Sequence, residues 1–71
     1  MGLNHILSTA LTDLFNRKII LNIVDNIIDI YINGIGGCVL SIENKDIKVL
    51  QFDISEEMIK LIKQTIISYL E

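Results

Sequence analysis

Proline and tryptophan are absent from this chain, and cysteine and histidine occur once each, as Cys38 and His5. With no second cysteine there is no internal disulfide, and one Cys with one His cannot make the N/S ligand set of a structural zinc site. A lone thiol also fits a reducing compartment better than a cross-linked secreted scaffold. Basic residues are few: Lys and Arg total 6 against 9 Asp and Glu, for a formal net charge of -3. They lie apart, as Arg17, Lys18, Lys45, Lys48, Lys60 and Lys63, with no basic run and no aromatic platform among them. Gripping a phosphate backbone needs a positive stripe, so no nucleic-acid partner is expected.

Long apolar runs are missing too. Spanning a bilayer takes ~20 predominantly apolar residues, and Asn22, Asp25, Asn26, Asp29 and Asn33 interrupt the longest stretch. The opening Met-Gly-Leu-Asn-His has no basic segment of the kind that precedes a secretory signal. The expectation is a cytoplasmic protein with no membrane partner. No nucleophile, base and acid stand in a recognisable arrangement, so neither enzymatic activity nor a cofactor is expected. Asp25 and Asp29 are too few for a calcium loop, which makes metal binding equally unexpected.

Apolar side chains are abundant. They make up 51% of the 71 residues, and the mean hydropathy is +0.51. Isoleucine alone accounts for roughly a fifth of the chain, far above ordinary usage. Ile, Asn and Lys have AT-rich codons, which fits an AT-rich genome, as in many bacteria, archaea, phages and plasmids; a phage or mobile-element source is one expectation among these. Seventy-one residues form one domain, and a chain this short removes only ~60% of its unfolded surface from water. Burial against another chain is the remaining common source of stability once disulfides and metals are set aside.

Periodicity organises the chain. Leu3, Ile6, Leu7, Ala10, Leu11, Leu14 and Phe15 follow the i, i+3, i+4, i+7 template of an amphipathic helix. Asn16 suits a left-handed C-cap, with Arg17 and Lys18 near the negative end of the dipole. From Lys18 the period becomes two and β-branched residues dominate. A two-residue turn at Asp25-Asn26 would pair Val24 with Ile27 and put Ile19, Leu21, Ile23, Ile28, Ile30 and Ile32 on one face. A second turn at Asn44-Lys45 puts Cys38, Leu40, Ile42, Ile47 and Val49 on one face. Joining the two hairpins through a two-residue Asn33-Gly34 turn would point Cys38, Leu40 and Ile42 outward. One extra residue repairs the phase, and Gly34, Gly36 and Gly37 offer the positive-φ positions such a loop needs. Asp53 or Ser55 can cap a last helix, Asp53 and Glu56 having capping-box spacing. Met58, Ile59, Ile62, Ile66, Tyr69 and Leu70 form its stripe, widened by Leu61 and Ile67.

The expected fold is therefore α+β: a helix at about 3–16, strands near 18–24, 27–33, 38–43 and 46–52, and a helix near 55–70 (boundaries to ~2–4 residues). The strands form a four-stranded antiparallel meander with both helices on one face. Leu7, Leu11, Leu14, Leu21, Ile30, Leu40, Val49, Ile62 and Ile66 are expected to be the most buried side chains.

The same alternation sends Ile20, Val24, Ile27, Tyr31, Val39, Leu50 and Phe52 to the other sheet face, an apolar excess that marks it as a candidate interface. Edge pairing through the 46–52 or 18–24 strand is the alternative contact, and Leu61 and Ile67 offer a helical surface. Asn33, Gly34, Gly36 and Gly37 are the alternative site, as a backbone cradle for an anion or nucleotide near a subunit boundary. The stretch lacks the Lys and Ser/Thr of a P-loop, and a structural turn explains it without a ligand. Cys38 on an apolar strand face is expected to be a buried small hydrophobe, and His5 a solvated side chain. The expectation is a homo-oligomeric protein-binding module, a regulator or inhibitor, with itself and another protein as partners.

Overall fold

The turns fix the register of the sheet. In the computed structural model, which describes residues 2–70, the strands are β1 (Ile19–Val24), β2 (Ile27–Ile32), β3 (Gly36–Glu43) and β4 (Asp46–Phe52). They pair antiparallel in the order β1-β2-β3-β4. Asp25 adopts φ 55° in the first turn, and Asn44 and Lys45 adopt φ 49° and 69° in the third. Two successive left-handed residues define a type I′ turn, whose twist matches that of the strands it joins. Val24 faces Ile27 and Glu43 faces Asp46, as the two hairpins require.

The middle turn contains the extra residue that the phase demands. Ile32 faces Gly36 across Asn33, Gly34 and Ile35, so Ile30 meets Cys38 and Ile28 meets Leu40. The Ile35 N–H donates to the Ile32 carbonyl at 3.0 Å, and Gly34 takes φ 81° and Gly36 φ 140°. Pairing thus begins at Gly36, two residues ahead of the expected start at 38.

β4 departs from the expected alternation. Leu40 faces Val49 but Val39 faces Gln51, so Leu50 is an extra residue in β4. Beyond it the phase is inverted: Phe52 stands opposite Cys38, on the helix-side row, and Gln51 takes the outer-face place beside Val39. The assignment of Phe52 to the outer face by simple alternation is corrected by this bulge, because directly opposed residues share a face.

The helices α1 (Leu3–Phe15) and α2 (Glu56–Leu70) cover one face. Asn16 ends α1 in the left-handed conformation, φ 53° and ψ 41°. Ser55 starts α2: its Oγ accepts from the Met58 N–H at 3.3 Å, and Glu56 and Glu57 occupy the first turn where the dipole favours them. The core joins Leu7 and Leu11 of α1 and Ile59, Ile62 and Ile66 of α2 to Ile19, Ile28, Ile30, Ile32, Cys38, Leu40 and Ile47 of the sheet. Ile54, in the β4–α2 connection, is also buried. Each such aliphatic side chain stabilises the fold by ~1.5–3 kcal/mol.

Three residues expected in the core fall short of it. Leu14 is 43% exposed, because α1 turns the narrow Leu7–Leu11 stripe inward and leaves the flank of Leu3, Ile6, Ala10 and Leu14 at its margin. Leu21 and Val49 are half-buried because β1 and β4 are the outer strands, where the helical layer ends.

Candidate interaction surface

The helix-free side of the sheet follows directly from the register. Three cross-strand rows stand on it: Ile20–Tyr31–Gly37, Asn22–Asp29–Val39–Gln51, and Val24–Ile27–Ser41–Lys48. Ile20 is 57%, Val24 59%, Tyr31 45% and Leu50 56% exposed. Ile27 and Val39 are half-buried by their neighbours. Of the seven residues singled out by sequence, the sheet therefore brings Ile20, Val24, Ile27, Tyr31 and Val39 onto one surface. Leu50 stands at the bulge, and Phe52, 53% exposed, is displaced to the end of the ladder. The apolar surface is divided, since Asn22 and Asp29 cross it between Ile20–Tyr31 and Val24–Ile27.

A shallow hollow of about 250 Å³ opens on this side, with Asp29, Tyr31, Gly37, Val39, Gln51 and Asp53 in its wall. Gly37 faces Tyr31 in the ladder, and its missing side chain leaves the depression. A Cβ there would collide with the Ile30 carbonyl.

Asp53 reorganises the glycine turn. Its Oδ1 accepts from the Gly37 N–H at 2.6 Å, and its own N–H donates to the Gly37 carbonyl at 3.1 Å. The carboxylate lies where a Cβ on Gly36 would be. Asp53 is therefore a clamp between β3 and the end of β4, while Ser55 performs the capping. The N–H that an anion would use is held by a fixed negative charge, which works against an anion cradle at Gly36-Gly37. On the other side of the turn, the Arg17 guanidinium donates from one Nη to the Asn33 carbonyl at 3.3 Å, and a Cβ on Gly34 would stand 3.0 Å from that group.

Cys38 is 3% exposed. Burial, with added repulsion from Asp29 and Asp53, pushes its thiol from 9.0 up to about 11. A nucleophilic cysteine needs the opposite shift. His5 is exposed on α1. Among the described residues no group of three or more His, Cys, Asp or Glu could hold a metal ion. No helix of the described residues is long and apolar enough to cross a membrane.

A second exposed surface lies on the helical layer, and of it the sequence marks only Leu61 and Ile67, outside the main α2 stripe. Leu3, Ile6 and Leu14 of α1 and Leu61 and Tyr69 of α2 are 37–48% exposed. Leu3, Ile6, Ala10 and Leu14 share one helical flank, as do Met58, Leu61, Thr65 and Tyr69, each set spaced three then four residues apart. The signal was the width of both stripes, noted above only for α2. A shallow groove of about 290 Å³ runs along the other flank of α2, with Ile59, Lys60, Lys63 and Ile67 in its wall.

These features define a two-layer α+β protein: a four-stranded meander covered by two helices on one side and open on the other. No protein-family profile, curated protein or solved structure matches the chain.

Proposed function

We propose that this protein is a non-enzymatic binding module, a regulator or inhibitor that assembles with itself and acts through protein contact on the open sheet face. The observation that carries the reading is that Ile20, Val24 and Tyr31 stay about half exposed on a surface with no covering layer, with Leu50 as exposed at the bulge beside it. A small domain gains little from leaving such side chains in water, and a partner that covers them adds the burial its own core lacks. The chemistry of the hollow agrees. Two carboxylates, a phenol and an amide line it, but the buried thiol beside them is held protonated, so no activated nucleophile stands there. A cytoplasmic setting belongs to the same reading, since it keeps Cys38 reduced.

Sedimentation across a range of protein concentrations tests it. Association is expected at micromolar concentration, weakened by Tyr31→Asp and Leu50→Asp and unchanged by Thr9→Asp on the exposed side of α1. A single 8.0 kDa species at every concentration, with a melting temperature independent of concentration, overturns it.

A further inference from the structure

The two edges of the sheet are not equivalent. β4 carries Asp46, Lys48 and the extra residue Leu50, all devices that discourage another strand from pairing with an edge. β1 reads Ile-Ile-Leu-Asn-Ile-Val. It contains no charge, no proline and no bulge, and it is paired only on its β2 side.

The direction of its free hydrogen-bonding groups can be read from two contacts. The Lys18 carbonyl accepts from the Asn33 N–H at 3.0 Å, toward β2. Bonded residues alternate along an antiparallel strand, so Lys18, Ile20, Asn22 and Val24 face β2, while Ile19, Leu21 and Ile23 turn their N–H and C=O groups to the open edge. The Leu21 carbonyl meets this description: it accepts from the Asn4 amide nitrogen at 3.3 Å, outside the sheet.

We propose that the β1 edge is a pairing site for β1 of a second copy of this chain, antiparallel about a two-fold axis at Leu21. The occupant follows from self-complementarity. Antiparallel partners must share a face, so a two-fold register has to place odd residues opposite odd ones. Centred on Leu21, it sets Ile19 against Ile23 of the second copy and Leu21 against its own counterpart. Every outward N–H and C=O of β1 then meets a partner. Centring on Asn22 instead would set Ile19 against the Asp25 turn and leave its groups unpaired. The Asn4 side chain is exposed and must turn aside or share the Leu21 carbonyl, whose oxygen has a second lone pair.

Two further observations favour this contact. Leu21 and Ile23 lie on the core face but are only half-buried, and a second β1 beside them would extend the core past the edge. β1 and β2 also hold Ile20, Val24, Ile27 and Tyr31 of the open face, so the pairing would join two such surfaces into one broad sheet face. The inference rests on the reading that the protein assembles with itself, but it uses a different surface from the one proposed above.

Amide hydrogen exchange on the unmodified protein tests the edge directly. In an open strand the Ile19, Leu21 and Ile23 amides exchange freely, whereas Ile20, Asn22 and Val24 are protected by β2. Edge pairing predicts that the odd set slows by ~10-fold or more between dilute and concentrated protein, while the even set changes little. Ile23→Pro gives a second measure, since its N–H points away from β2 and an edge strand tolerates proline there. It should leave circular dichroism native-like and weaken self-association by ~10-fold or more. Association that is abolished by Tyr31→Asp and Leu50→Asp, while the odd amides still exchange as in an open strand, overturns edge pairing and keeps the face reading. A dimer that ignores those aspartates but protects the odd amides does the reverse. A monomer at all concentrations overturns both.

Discussion

Several residues hold backbone conformations that their side chains oppose, and Lys45 is the clearest. At φ 69° it occupies the second central position of a type I′ turn, where glycine is the preferred residue. Lys45→Gly is expected to raise stability by ~0.5–1 kcal/mol, read as a higher urea midpoint with an unchanged slope. Gly37 is the opposite case. Gly37→Ala forces a methyl group into the Ile30 carbonyl, and a loss of ~1–3 kcal/mol is expected. Cys38 connects the core to pH. Its thiol rises from 9.0 to about 11 on folding, so the folded state holds this proton more tightly than the unfolded chain. That contribution is complete below pH 9.0 and is lost as pH climbs toward about 11. Alkylation by iodoacetamide near neutral pH should accordingly be slow in the native protein and fast in urea. Equal rates in both would show that the thiol is not buried.

At the scale of elements, the two helices and the hairpin register are where packing decides stability. Leu11 and Ile62 are fully buried at 0% exposure, one from each helix. Truncating either to Ala should cost ~2–5 kcal/mol in chemical unfolding, and a cost below ~1 kcal/mol at both would mean that the helical layer is loosely held. All six elements were legible in the sequence because the period switches from 3.6 to 2 and back. Even the three-residue turn at Asn33–Ile35 followed from requiring Ile30 and Cys38 to share a face. The bulge at Leu50 did not. Val49-Leu50-Gln51-Phe52 contains no glycine and reads as ordinary alternation, so the inversion that moves Phe52 depends on pairing with β3. The choice between Asp53 and Ser55 as the cap stayed open for a related reason. The spacing of Asp53 to Glu56 fits a capping box, but the same carboxylate fits the Gly37 N–H, and only the closeness of β3 decides between them. Leu14 shows a third limit: a stripe wider than the core leaves the rotation of the helix undetermined.

For the whole molecule the governing quantity is how much apolar surface remains in water. Exposed leucine, isoleucine, valine and aromatic side chains occur on both layers, at the helical flanks and on the open sheet face. If copies of the chain cover part of it, the melting temperature should rise with protein concentration, because dissociation re-exposes the shared surface. A calorimetric series over a hundredfold range of concentration measures this, and an unchanging midpoint would place the exposed residues among ordinary surface side chains. The candidate interface was only partly legible for the same reason. The sequence marks which residues alternate outward, but neighbouring strands determine that Ile27 and Val39 become half-buried while Ile20 and Val24 do not.

The meander also carries a consequence for the order of events during synthesis. Each strand is joined to the next by a turn of two or three residues, so the whole sheet consists of contacts close in sequence, which form early and quickly. The helical layer is different: α1 is made first and α2 last, yet they meet each other over the same core. Until α2 has left the ribosome, the shared core lacks Ile59, Ile62 and Ile66. A chain halted before Glu56 should therefore present a nearly complete, sticky sheet with an unguarded first strand, the kind of intermediate that chaperones hold and that aggregates when they do not.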